Sequence, residues 1–433
     1  MQFAHPHLRW KAGNDVFLLE NGIQLFPALC AAFDAATTSI HVEMYIFRLD
    51  IAGKQILHHL ILAAKRGLKV RVLIDGYGSA AEDEEIVRLL SNAGAHCRIY
   101  RPEPKQFTLK SFDFTRLRRL HRKIVVVDGL IGFVGGINIE DDYSTADPDA
   151  RATDPRYDFA VRVTGPIVSA LVEALDLLWL RTRSRRPPHL KQLRSRLRYF
   201  KRRRASSRAA SLVSKASQVS STVSPVFSSE ASSEVFATTP ANMRAAVILR
   251  DNLRYRRTIE SAYLFHIAHA ENEIIIANAY FLPGGKLRRA LIDAVRRGVK
   301  VRLLLQGKIE YQMQYHATRW IYDLFLREGI EIYEYLPSFL HAKVAVIDGV
   351  SIVGSSNLDP FSLLLAREAN VLIDDAGFTA QLRQSLENAM MRGSRIVELT
   401  LYGRRPYLGQ IADGLCYLLL RIGVALTGKN NNY

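Results

Sequence analysis

Residues 120–138 read LHRKIVVVDGLIGFVGGIN, and residues 340–357 read LHAKVAVIDGVSIVGSSN. Each carries His-x-Lys, four further residues and an Asp: His121, Lys123 and Asp128, then His341, Lys343 and Asp348. A Gly-Gly or Gly-Ser pair follows, Gly135-Gly136 or Gly354-Ser355, and then an asparagine, Asn138 or Asn357. One copy of three fixed residues is a weak signal, because chance supplies it roughly once per several thousand positions. Two copies with the same trailing residues are beyond chance and imply one pseudo-symmetric site. The alternation of a strand puts His and Lys on one face. The apolar runs 124–127 and 344–347 are predicted to continue as buried parallel strands. Asp128-Gly129 and Asp348-Gly349 are turn signals.

These residue types suit cleavage of a phosphodiester. Such a reaction needs a nucleophile, a proton donor for the leaving oxygen, and positive groups around the phosphoryl oxygens. One imidazole can attack and a second can act as general acid near neutral pH. Lys123, Lys343, Asn138 and Asn357 can hold the non-bridging oxygens, the electrostatic contribution that usually dominates. That set works without a metal or other cofactor, and the chain carries no CxxC, HExxH, EF-hand or GxxxxGK[ST] pattern. A nucleophilic histidine is best oriented by a carboxylate on its far nitrogen. Asp158, in RYDFAVRVTGP, and Glu368, in AREANVLI, follow their motifs and are the candidates. Asp128 and Asp348 complete the catalytic motifs and are expected to brace the lysine or the turn rather than to attack.

The motif pair resembles the phospholipase D superfamily and, more narrowly, the bacterial cardiolipin synthases. GNDVFLLENGIQLFPAL and SIHVEMYIFRLDIAGKQI are similar to the family's N-terminal half, and IIIANAYFLPG to its second half. Gly136 stands where many superfamily members have Ser, as in cardiolipin synthase first halves. Tyr157 replaces a common Trp, and Ala366-Arg367 replaces an Asn-containing stretch before Glu368. The resemblance implies two α/β/α sandwich units packed face to face with one active site at their seam. It implies phosphatidyl transfer between two phosphatidylglycerol molecules, releasing glycerol through a phosphohistidine. The order, with His121 as nucleophile and His341 as general acid, also comes from the resemblance.

Composition adds the partner. The 433 residues suffice for two full cores, with 48% hydrophobic and 23% charged residues. A net charge of +17 favours anionic partners. Residues 181–208 hold thirteen Lys or Arg and no acid, and twelve serines follow between Ser206 and Ser233, so 181–240 reads as a basic, then Ser-rich, disordered linker. It separates a first half, 1–180, from a second, 241–400. Both halves repeat strand, helix and strand: AAKRGLKVRVLID at 63–75 matches AVRRGVKVRLLLQ at 294–306, with helix caps at Gly67 and Gly298. The order predicts crossover units in a mixed, mainly parallel sheet. Tyr45 and Tyr280 fall at corresponding strand ends, where they either line the site or pack in the core.

Residues 401–433 are expected to associate with membrane. The stretch 411–426 is apolar but broken by Asp413 and Arg421. It fits a helix lying in the membrane interface or docked on the protein's own core. The start shows no signal-peptide pattern, no apolar run reaches spanning length, and three distant cysteines, Cys30, Cys97 and Cys416, fit a reducing compartment. The expectation is a peripheral enzyme on the cytoplasmic face of a bacterial cell membrane, with the anionic phospholipids phosphatidylglycerol and cardiolipin as partners. Alternatives are another phosphatidyltransferase or lipid hydrolase, a nuclease of the same superfamily, and a non-catalytic membrane scaffold. No nucleic acid is expected, because the basic stretch lacks interleaved stacking aromatics. The two intact motifs argue against a scaffold.

Overall fold

The computed structural model describes residues 8–103, 118–144, 152–183, 242–251, 255–403 and 405–426. In the first half the described elements are β1 (Lys11–Glu20), α1 (Asn21–Asp34), β2 (Ser39–Met44), α2 (Ile51–Lys65), β3 (Lys69–Asp75), α3 (Asp83–Asn92), β4 (His96–Tyr100), β5 (Lys123–Val127), β6 (Ile131–Gly135), β7 (Phe159–Thr164) and α4 (Val168–Arg183). The second half begins with β8 (Met243–Arg250), α5 (Thr258–His269), β9 (Glu273–Asn278), α6 (Gly285–Arg296), β10 (Lys300–Gln306), α7 (Gln312–Trp320), α8 (Tyr322–Arg327) and β11 (Glu331–Tyr335). It continues through β12 (Lys343–Ile347), β13 (Val350–Gly354), α9 (Pro360–Leu364), β14 (Glu368–Asp374), α10 (Ala376–Met391), β15 (Ser394–Ile396), α11 (Leu399–Tyr402) and α12 (Tyr407–Leu426). Residues up to 175 and from 241 onward form one compact unit. The segment 176–240 is a separate unit, and nearly all of the predicted linker lies outside the described residues.

Local signals place the repeated pieces. Asp50 caps α2 by accepting from the Gly53 N–H at 2.9 Å. Both α2 and α6 end as predicted: Arg66 and Arg297 sit at the C-caps, and Gly67 and Gly298 follow with φ of +87° and +93°. Those glycines turn the chain into β3 and β10, which lie parallel to β2 and β9.

The sheet order is β15-β11-β10-β9-β12-β13-β14-β8-β1-β7-β6-β5-β2-β3-β4. Only β2/β3, β3/β4, β9/β10 and β10/β11 pair in parallel among the described strands. The expected mainly parallel sheet is therefore corrected to a mixed, mainly antiparallel one. The motif strands show why. β5 runs antiparallel to both β2 and β6, and β12 does the same between β9 and β13. The Asp-Gly turns close β5–β6 and β12–β13 hairpins, with Val127 opposite Ile131 and Ile347 opposite Val350. Asp128 and Asp348 hold φ of 53° and 49°, a left-handed turn conformation that Asp tolerates.

Each motif strand is buried on both faces. In β5, Val125 and Val127 join an outer core with Ile56 and Leu60 of α2. Ile124 and Val126 face a middle core shared with Val344, Val346 and Val371 of the second half. In β12, Ala345 and Ile347 face that half's own outer core, with Leu291 of α6. The middle layer also takes Leu171 and Leu175 of α4, and Phe378 and Leu382 of α10. The halves thus close on each other through this middle layer, which brings the starts of β5 and β12 to the same seam.

The C-terminal helix α12 has two faces. Its inner face packs on α7: Asp413, 2% exposed, lies 2.7 Å from His316 Nδ1 and accepts from Arg405 at 2.6 Å. A Cβ on Gly414 would meet the Trp320 ring at 2.8 Å, so glycine permits this close approach. Its outer face exposes Leu408, Ile411, Leu415, Leu418, Leu419 and Ile422 at one-face helical spacing. The expected docking on the protein's own core describes the inner face, and the outer face leaves an apolar stripe exposed. Asp413 does not interrupt the apolar stripe, because it points inward. Among the described residues no helix is long and apolar enough to cross a membrane.

Candidate active site

The chain just before each motif histidine is clamped by the opposite half. His121 donates its N–H to the Arg367 carbonyl at 3.0 Å, and Arg367 donates to the Arg119 carbonyl at 2.8 Å. In the mirror arrangement His341 donates to the Tyr157 carbonyl at 2.9 Å, and Tyr157 donates to the Phe339 carbonyl at 3.0 Å. These bridges carry Glu368 to His121 and Asp158 to His341. His121 Nδ1 lies 3.0 Å from Glu368 Oε1, and His341 Nδ1 lies 2.6 Å from Asp158 Oδ2. Each half therefore supplies the carboxylate for the other half's imidazole.

The contacts set the tautomer of His121. Its Nδ1 faces the Glu368 carboxylate and, at 3.1 Å, the Ser355 carbonyl. Both are acceptors, so Nδ1 carries the hydrogen and Nε2 keeps a lone pair. His341 Nδ1 faces the Asp158 carboxylate in the same way. Around the carboxylates the halves differ. Ser355 donates its hydroxyl to Glu368 Oε2 at 2.6 Å. The matching residue in the first half is Gly136, where a Cβ would meet Asp158 Oδ1 at 2.3 Å. Gly136 with Asp158 and Ser355 with Glu368 are thus two sterically matched pairs.

Lys123 and Lys343 are both almost fully buried at the seam. Lys123 Nζ donates to the His121 carbonyl at 2.9 Å and stands 5.0 Å over the Tyr45 ring. Lys343 Nζ donates to the His341 carbonyl and lies 2.9 Å from His341 Nδ1 and 3.7 Å from Asp158 Oδ2. Asn138 donates to Glu140 at 3.2 Å, while the side-chain oxygens of Asn138 and Asn357 are buried without partners. The Tyr45 ring centroid is 4.6 Å from that of His121. Tyr280 donates to Glu310 Oε2 at 2.6 Å.

Burial and the paired cations perturb this cluster. Burial pushes the Lys123 ammonium down to about 7, and Lys343 pushes in the same direction. Burial lowers His121, with Glu368 opposing and Lys123 and Lys343 reinforcing. His341 falls well below the usual imidazole range through burial, then Lys343, Arg156 and Lys123. Asp158 is pushed up to about 6 by burial against the pull of Lys343. Burial and the two lysines thus disfavour the protonated form of both rings.

The motif aspartates lie elsewhere. Asp128 sits at the far end of β5 from Lys123, accepting from the backbone N–H groups of Thr37, Thr38 and Ser39 at 2.8 Å each. Asp348 does the same for Glu271, Asn272 and Glu273 at 2.8, 3.0 and 2.9 Å. Of the two expected roles, bracing the lysine is corrected: a strand's length separates them, and the aspartates tie the hairpin to the start of β2 or β9.

Several residues escaped the sequence reading. Asp75 Oδ2 accepts from the Leu120 N–H at 2.7 Å, and Gln306 Oε1 from the Leu340 N–H at 2.8 Å, fixing the backbone before each histidine. They are the last residues of the two repeated segments, so the repeat was the available signal. Arg156, 3.2 Å from Glu140 and 4.0 Å from Glu310, had no such signal, because its role depends on the fold.

The chain matches the family described as "Cardiolipin synthase, PLD-like domain" over residues 29–168 and 263–390. It is 34% identical to cardiolipin synthase B of Escherichia coli K12, over 97% of this chain and 91% of that protein. It is 30% identical to cardiolipin synthase A of Pseudomonas entomophila, over 87% and 68%. Its fold is similar to that of phosphatidylserine synthase from Haemophilus influenzae, with a TM-score of 0.64 at 15% identity over 97% of both chains. With its paired motifs meeting at one seam, the chain belongs to the cardiolipin synthase family of phospholipase D-like proteins.

Proposed function

We propose that the protein is a phosphatidyltransferase that makes cardiolipin from two phosphatidylglycerol molecules. The observation that carries this reading is the crossed pair of carboxylate-oriented imidazoles between two buried lysines, in a chain of this family. His121 Nε2 attacks the phosphorus of one phosphatidylglycerol. The phosphorus–oxygen bond to the headgroup glycerol breaks, and His341 gives that oxygen a proton. The phosphohistidine then meets the glycerol hydroxyl of a second phosphatidylglycerol. His341 takes that hydroxyl's proton, the new phosphorus–oxygen bond forms, and the phosphorus–nitrogen bond breaks.

His341 rests well below the usual imidazole range in the empty site. An arriving phosphodiester anion offsets the lysine charges and raises the histidine pKa, so the acid gains its proton together with the substrate. Lys123, Lys343, Asn138 and Asn357 hold the non-bridging oxygens. Glu368 and Asp158 orient the rings and stabilise the imidazolium forms.

The lipid's acyl chains keep the reaction at a bilayer. The apolar outer stripe of α12 supports peripheral seating in the interface, and the net charge of +17 supports an anionic surface. Three free cysteines accord with the cytoplasmic side. Incubating the protein with defined lipids and reading products by mass spectrometry tests the reaction. Cardiolipin and glycerol in equal amounts are expected. Phosphatidic acid alone would make the protein a hydrolase, and DNA or RNA cleavage without lipid turnover would make it a nuclease.

A further inference from the structure

A recess opens beside the second motif that the chemistry above does not use. A partly open recess of about 20 Å³ lies among Tyr280, Gln306, Glu310, Tyr311 and Gln314 and their neighbours. Its lining is not self-sufficient, because Gln306 Nε2 and Gln314 Oε1 are buried without hydrogen-bond partners. Native structures leave few such groups, so each needs an explanation.

Gln306 owes its spare donor to an asymmetry between the halves. Asp75, its counterpart, accepts from Leu120 with one oxygen and from Tyr77 and Gly78 with the other, at 2.9 and 3.3 Å. Gln306 accepts from Leu340 through Oε1, and its amide N–H₂ remains for the recess. Tyr280 donates to Glu310, so its oxygen keeps lone pairs, and the Tyr311 ring stands 5.7 Å away. Donors and acceptors on aromatic walls suit a small polyol. The recess shares Tyr280, Gln314 and Thr318 with an adjoining, smaller one of about 10 Å³, whose other walls are Leu282, Asp359, Pro360, Phe361 and Leu420. Leu420 is the buried face of α12, whose opposite face is the exposed apolar stripe. A polar recess, tied through Gln306 to the backbone of Leu340 just before His341, therefore adjoins a less polar one beneath that helix.

We propose that Gln306, Gln314, Tyr280 and Glu310 form a subsite for a glycerol-type polyol, the alcohol whose oxygen exchanges a proton with His341. The adjoining recess receives only the start of the lipid that carries it. The catalytic role of the subsite rests on the phosphatidyl-transfer reading; the binding does not.

Glycerol binding to the full chain, followed by saturation-transfer NMR, needs no turnover. Gln314→Leu is expected to weaken it about tenfold, and Gln306→Met similarly, as for loss of one hydrogen bond. Gln314→Glu keeps an acceptor oxygen and should retain it. In a second arm the donor is a phosphatidyl p-nitrophenyl ester, whose leaving group needs no polyol pocket. The ratio of transfer to hydrolysis is then read with free glycerol and with phosphatidylglycerol as acceptors. Gln314→Leu should lower that ratio about tenfold for both acceptors. A fall for phosphatidylglycerol alone would assign the recess to the lipid's apolar part and overturn the polyol assignment. Unchanged glycerol binding in both variants would overturn it as well. A wild type that binds glycerol in this Gln314-dependent way but transfers no phosphatidyl group would keep the subsite and remove the proposed activity.

Discussion

At the scale of single residues, the site is a pair of matched steric choices. Gly136 leaves room for the shorter Asp158, and Ser355 donates to the longer Glu368. Gly136→Ser should displace Asp158 from His341, and a misplacement near 1 Å costs about a hundredfold in rate. Adding Asp158→Glu recreates the second half's pairing and should recover much of the loss. A double variant no better than Gly136→Ser would show that the pairing is not what matters. The lysines act through charge, so Lys123→Ala should slow turnover by at least about a hundredfold, or about 2.7–4 kcal/mol. Because burial brings Lys123 down to about 7, its charge is present below that pH and lost above it. The kcat/KM profile should therefore decline as pH rises through about 7, and Lys123→Arg, which stays charged, should move the decline upward. The kcat profile should decline at higher pH than kcat/KM, because bound phosphate holds the proton on the lysine. A decline at the same pH in Lys123→Arg would remove the lysine from this role. The motif histidines, lysines and asparagines were legible in sequence because two copies carry the same spacing. The crossing of carboxylates was not, since Asp158 and Glu368 each follow one motif and serve the other.

At the scale of elements, the helix ends at Gly67 and Gly298 were legible, whereas the strand directions were not. Strands covered on both faces lose the period of two, so 124–127 and 344–347 read like parallel strands although both run antiparallel to their neighbours. The Asp-Gly turns were visible as turns, but which strand they returned to depends on pairing across the sheet. In α12, composition alone could not show which face docks on α7 and which is left exposed. The outer leucines can be tested without disturbing the inner face. Leu415 and Leu418 are 55% and 54% exposed, so changing both to Asp should leave Tm unchanged. Binding to phosphatidylglycerol vesicles should fall by about thirtyfold or more, as two half-exposed leucines lose their burial in the interface. Binding that stays at the wild-type level would place the membrane contact elsewhere. Substitution is a cleaner test than deleting the helix, which would also uncover Trp320 and His316 on α7.

At the scale of the whole molecule, two repeats of one unit make one site because neither repeat is complete. The middle core joins the halves, and the backbone bridges at Arg367 and Tyr157 seat each carboxylate across the seam. The number of units and the shared site could be read from the repeated motifs. The seam's contents could not, because Arg156 and Glu310 meet only after both halves fold. Turnover is proposed to pass through a covalent phosphatidyl group on one histidine of this crossed pair. The most direct test is to incubate the protein with labelled phosphatidylglycerol, quench in alkali and map the labelled peptide. The label is expected on His121 in the wild type and absent in His121→Ala, which should make no cardiolipin. Cardiolipin made by His121→Ala with no labelled histidine in either protein would contradict the account.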